Sequence, residues 1–92
     1  MEEGGCPMDK LMELRTQIRN IDQEMKSLFL RRLQVAREIG AWKREKGLPV
    51  LDAQRERENI AALGNDIEDL PLRHLYTEFL TAVMHAAKEV QR

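Results

Sequence analysis

Ten positions on one uninterrupted stretch, Leu11, Leu14, Ile18, Ile21, Met25, Leu28, Arg32, Val35, Ile39 and Trp42, recur at alternating spacings of three and four, and nine are apolar. That rhythm predicts a helix with a single apolar stripe. Nothing breaks the pattern from Met8 or Asp9 until Gly47, so the predicted helix has about 37 residues and runs about 55 Å at the usual rise. A compact body of 92 residues has a radius of gyration of only about 12 Å. The helix therefore overhangs its own domain, and another chain has to cover its stripe. Homodimerisation is the simplest cover. A plain parallel coiled coil is the alternative, but Phe29, Leu30, Leu33 and Ala36 make the apolar face wider than a bare seam.

The exception on the stripe is Arg32. A guanidinium in an apolar seam leaves water without becoming neutral, which costs several kcal/mol unless an anion meets it. Lys43 follows eleven residues later, about 20° away around the axis and about 16 Å along it. Both side chains can lean toward one cavity that holds something negative. Lys43 could instead snorkel past Trp42 at the helix end, where a cation suits the macrodipole. Arg31, about 100° from Arg32, is expected on the solvated surface.

Residues 1–7, with Gly4, Gly5 and Pro7, read as a disordered leader, and residues 8–92 as one helical domain. Gly47-Leu48-Pro49-Val50-Leu51 is the turn after the long helix. Asp52 then caps a short helix that passes through Ile60 and Leu63 and stops at Gly64. Asn65 to Asp69 connect to a third helix with Pro71 in its first turn. On that helix Leu72, Leu75, Phe79, Val83, Ala86 and Val90 form one stripe, and Leu80, Met84, Ala87 and Gln91 a second. The fold class is all-α: long, short and medium helices, with no strand candidate of useful length. Asp52, Arg55, Glu56 and Asn59 fall within about one third of the circumference of the short helix. Arg55 stands where a capping box wants glutamate, and a cation in a first turn opposes the helix dipole, which points to another task. Gln91 either marks the helix reaching water or projects a neutral donor toward Arg32 and Lys43. Met25 and Met84 read as apolar filler.

Composition narrows the function. Lys and Arg number 15 against 16 Asp and Glu, without the basic excess of a nucleic-acid binder. No apolar run approaches the roughly 20 residues of a membrane span, and the start is unlike a secretory signal. Cys6 cannot form an internal disulfide, so the cytoplasm is the expected compartment. His74 and His85 stand eleven apart with no cysteine cluster and read as helix-surface residues rather than metal ligands. The single serine, Ser27, has no histidine at a suggestive spacing, and no glycine loop cradles phosphate. No metal and no cofactor is expected. An enzyme built from these residues works by positioning and electrostatics.

The segments Leu14-Arg15-Thr16-Gln17-Ile18-Arg19-Asn20-Ile21-Asp22, Arg32, Ile39-Gly40-Ala41-Trp42-Lys43 and Gly47 through Glu56, closed by Gln91, together resemble the all-helical type II chorismate mutases. The resemblance covers almost the whole chain. It implies an interlocked homodimer of three-helix subunits that converts chorismate to prephenate, a Claisen rearrangement on the route to phenylalanine and tyrosine, without a cofactor. It further implies that Arg15 from the partner subunit and Arg32 hold the two substrate carboxylates. Lys43 would contact the ether oxygen and a carboxylate, and Gln91 would donate to the same ether oxygen. Glu56, assisted by the Asp52 backbone, would hold the ring hydroxyl, and Arg55 would complete the charged wall. Helical rise agrees on one point: Arg15 and Arg32 are about 25 Å apart along a straight helix, so one chain cannot bring both to a small molecule.

Ala87 stands where many members of the family place a serine that helps bind a carboxylate, so one hydrogen bond is absent or taken by water. Matching Phe79 to the family's aromatic would shift the third helix and put Val90 in place of Gln91; the unshifted register keeps both the amide and the apolar stripe. Gln91 is the penultimate residue of the sequence, and a longer, bifunctional natural protein would hold that end in place. Two other functions share the scaffold. Isochorismate-pyruvate lyases have the arginine and lysine framework but generally lack the Asp52, Arg55, Glu56 constellation, and a non-catalytic dimerisation or regulatory domain needs none of these side chains.

Overall fold

The computed structural model describes residues 7–91. Apart from Pro7, the expected leader lies outside the described residues, and so does Cys6. Three helices follow in order, α1 (Pro7–Glu45), α2 (Ala53–Gly64) and α3 (Leu70–Gln91), with no strand among the described residues. The all-α, long-short-medium architecture is as the periodicity predicts. α1 has 39 residues and begins slightly earlier than expected, at Pro7, because a proline in a first turn gives up no hydrogen bond.

Each helix end has an identifiable chemical cause. After α1, Gly47 adopts a left-handed φ of 71°. Its N–H donates to the Arg44 carbonyl at 3.2 Å and the Leu48 N–H to the Lys43 carbonyl at 2.8 Å, a Schellman closure that satisfies the last carbonyls. Asp52 caps α2 from an extended backbone, its carboxylate accepting the Arg55 N–H at 3.1 Å. Asp69 does the same for α3, accepting the Leu72 N–H at 3.0 Å. α2 stops at Gly64, where the sequence places its end. This glycine is buried and has no left-handed backbone; the following Asn65 has φ −65°. A Cβ there would lie 3.6 Å from Cγ of Arg73, an ordinary contact, so the packing does not itself demand glycine. Arg73 in turn ties down the connection, donating from Nε to the Ile67 carbonyl at 2.8 Å and from Nη2 to that of Asn65 at 3.3 Å.

The chain divides into two units, residues 1–31 and 32–92. In the first, the stripe residues Leu11, Leu14, Ile18, Ile21, Met25 and Leu28 are all exposed, Ile18 at 59% and Leu28 at 58%. In the second, Ala36, Leu80, Val83, Met84 and Ala87 form the core. Of the two α3 stripes, the one through Leu80, Met84 and Ala87 turns inward, while the other is exposed at Leu72, Leu75 and Phe79 and reaches the core at Val83. His74 and His85 lie on the helix surface as expected. Among the described residues no helix is long and apolar enough to cross a membrane.

Open space surrounds Gly47, and a methyl group added to its Cα would meet no other atom within 4 Å. Gly47→Ala is therefore expected to lose about 1 kcal/mol, the strain of a left-handed L-residue alone. Urea unfolding at neutral pH measures it, and an unchanged midpoint would mean that the turn re-forms without the positive φ.

Candidate functional site

A cavity of about 290 Å³ lies within the second unit. The C-terminal part of α1 supplies Arg32, Ala36, Ile39 and Lys43 to its wall. The start of α2 supplies Asp52, Arg55, Glu56 and Asn59, and α3 supplies Met84, Ala87 and Gln91. Val35 and Val50 complete the lining. The helical geometry explains the grouping. Arg32 and Lys43 share a line down α1, the four α2 residues share one face, and Met84, Ala87 and Gln91 follow one stripe of α3.

Arg32 donates from Nη2 to Sδ of Met84 at 3.3 Å. Met84 is 5% exposed, so this thioether both packs the core and steadies the guanidinium, a second duty beyond the filler role expected for it. Lys43 is half-buried, whereas Trp42, its neighbour on the stripe, is exposed and has the Lys46 ammonium 5.8 Å from its ring centroid. Among the described residues no carboxylate forms an ion pair with Arg32, Lys43 or Arg55. The two carboxylates of the wall are already engaged. Asp52 caps α2, and Glu56 pairs through Oε1 with Nζ of Lys88 at 3.2 Å. Among the described residues three cations thus face one cavity without an ion-pair partner, an arrangement that favours an anionic ligand.

Gln91 owes its place to α1. A Cβ on Gly40 would stand 3.0 Å from the Gln91 carbonyl oxygen and 3.2 Å from its Cα, so the two backbones approach where no side chain intervenes. Arg44, one turn further on, donates from Nη1 to the same carbonyl. The last turn of α3 is held at its end, and Gln91, not Val90, lines the cavity. Of the residues singled out from the sequence, Arg32, Lys43, Asp52, Arg55, Glu56, Ala87 and Gln91 come together here, while Arg15 belongs to the first unit. Gly40, Arg44 and Lys88 were not singled out. A glycine inside a helical pattern signals close backbone approach, but cations near helix ends are too common to stand out.

The chemistry open to this wall is binding and electrostatic stabilisation. It contains no serine, cysteine or histidine, and no group of three His, Cys, Asp or Glu residues could hold a metal ion among the described residues. Arg32, Lys43, Arg55 and the Gln91 amide are donors; Asp52 and Glu56 are acceptors.

The family described as chorismate mutase type II matches residues 14–92. A bifunctional chorismate mutase/prephenate dehydratase of Aquifex aeolicus is 32% identical over 92 residues, covering 91% of this chain and 25% of that protein. The T-protein of Haemophilus influenzae is 37% identical over 49 residues, 53% of this chain and 13% of that protein. The chain thus spans a quarter or less of the length of these curated relatives. No solved structure gives a significant match.

Alanine in a helix interior ordinarily gains about 1 kcal/mol over glycine. At Gly40 the added methyl meets main-chain atoms that cannot rotate away, and Gly40→Ala is expected to lose about 1–3 kcal/mol instead. Denaturant unfolding reads the sign; a stabilised variant would show that the end of α3 yields freely.

Proposed function

The chain belongs to the type II chorismate mutase family, and from that premise we propose that it converts chorismate to prephenate on the route to phenylalanine and tyrosine. The observation that carries this reading is the cavity in which Arg32, Lys43 and Arg55 stand without carboxylate partners beside the Glu56 acceptor and the Gln91 amide. Chorismate is a flexible dianion with a ring hydroxyl and an ether oxygen. Arg32 binds one carboxylate, Lys43 contacts the ether oxygen and a carboxylate, and Gln91 donates to the ether oxygen. Glu56 accepts the ring hydroxyl with the Asp52 backbone beside it, and Arg55 closes the charged wall. Ala87 leaves a small apolar gap where a hydroxyl would otherwise bind a carboxylate.

In a pericyclic rearrangement no proton moves and no covalent intermediate forms, so catalysis comes from holding the reactive conformer and stabilising charge. Breaking the C–O bond builds negative charge on the ether oxygen. Donors fixed on that oxygen act more strongly on the transition state than on the substrate, at about 3 kcal/mol each by analogy with oxyanion holes. A millionfold acceleration takes about 8 kcal/mol. Lys43 and Gln91 together with conformational restraint reach that figure.

The protein acts as an intertwined homodimer in which Arg15 crosses to its partner's cavity and binds the second carboxylate. Two facts support this. The stripe from Leu11 to Leu28 is exposed in the single chain, and each such side chain gains about 1.5–3 kcal/mol when buried. Arg15 and Arg32 are also 17 residues apart in the sequence, about 25 Å along a straight helix, more than one small molecule spans.

Purified protein is expected to consume chorismate, seen as loss of its ultraviolet absorbance with prephenate appearing. Arg15→Ala and Arg32→Ala should each be nearly inactive alone. Unfolded together and refolded, they should recover about a quarter of wild-type activity, because half the dimers are mixed and each has one intact site. No recovery would remove the crossed dimer. A folded wild-type dimer with no turnover would point to a silent module, and faster pyruvate release from isochorismate to a lyase.

Gln91→Glu should work only at acidic pH, where the introduced carboxyl is protonated and can donate. A flat pH profile of kcat in that variant would take Gln91 away from the ether oxygen.

A further inference from the structure

The wall of this cavity contains a conflict. A site that gathers cations for a dianion also exposes the carboxylate of Glu56, and like charge at close range opposes binding. Glu56 is useful there only as an acceptor whose own charge is offset from outside the cavity. Lys88 is placed to do so. It follows Ala87 on α3, is absent from the cavity lining, and reaches across to α2. Its Nζ lies 3.2 Å from Oε1 of Glu56, with the two side chains 34% and 21% exposed. Oε2 of Glu56 has no hydrogen-bond partner among the described residues.

We propose that Lys88 is a positioning residue for ligand binding: it holds Glu56 through Oε1, offsets its charge, and leaves Oε2 aimed at the hydroxyl of an anionic ligand. The proposal rests on the reading of the cavity as a chorismate site and adds to it a residue that never touches the substrate. A purely structural tie between α2 and α3 makes different demands. A part-exposed ion pair contributes little to stability, and its loss as a tie would lower the unfolding midpoint or the fraction folded without changing affinity. Loss of a charge offset instead weakens ground-state binding of the dianion, which appears in KM with kcat little changed. The neighbouring alanine sharpens the demand, since residue 87 offers no hydroxyl to share the anion.

The test compares Lys88→Met, which keeps the chain length without the charge, and Lys88→Arg, which restores a cation. For Lys88→Met we expect KM for chorismate to rise about tenfold, kcat to stay within about twofold, and the urea midpoint to stay close to wild type. Lys88→Arg should recover most of the affinity. In a Glu56→Gln background, where the charge to be offset is gone, Lys88→Met should add no further loss, the signature of coupled residues. An unchanged KM in Lys88→Met, or fully additive effects in the double variant, would overturn the proposal while leaving the mutase reading intact. Should wild-type protein bind chorismate without converting it, the mutase reading fails, and the same comparison is made on the dissociation constant. A wild-type protein that neither binds nor converts chorismate overturns both.

Discussion

Two helices meet in this protein at a point with no side chain. Gly40 of α1 lets the last turn of α3 come so close that a single methyl would press on the Gln91 main chain, and Arg44 fastens the carbonyl there. The rest of the site depends on that approach. Leu80, Met84 and Ala87 of α3 are buried, and Gln91 lines the same cavity as Lys43. A helix end is normally the first part of an element to fray. Here it forms part of the cavity wall, and the contact with α1 offsets that tendency.

The second organising feature is electrostatic. Arg32 does not enter a dry core. It lies against the Met84 thioether and faces the cavity, joined there by Lys43 and Arg55. Among the described residues these cations have no carboxylate partner, and an anion bound among them would lower their mutual repulsion. The carboxylates are kept from cancelling this field because each has another partner, a helix N-terminus for Asp52 and the Lys88 ammonium for Glu56. An active site that stabilises a polar transition state by fixed donors needs that kind of preorganisation, in which the donors are in place before the charge develops.

Features that the sequence left open share one physical origin. Met84 contacts a guanidinium as well as filling space. The first apolar stripe of α3 is exposed over Leu72, Leu75 and Phe79 and buried at Val83, whereas the second is buried at Leu80, Met84 and Ala87. Each of these is decided by what another segment brings to the spot, and two stripes of similar hydrophobicity on one helix cannot be ranked by their spacing alone.

The residue pattern by itself determined the three helices, their lengths and most of their ends, because helix periodicity and capping are written within a few neighbouring residues. It also placed Arg32 with Lys43, and Asp52 with Arg55, Glu56 and Asn59, because positions on one helix are related by a fixed rotation. Only the tertiary structure joined those two groups to Met84, Ala87 and Gln91, chose the inward face of α3, and assigned tasks to Gly40, Arg44 and Lys88. Those outcomes depend on how closely separate helices approach, a distance set by side chains dozens of residues apart.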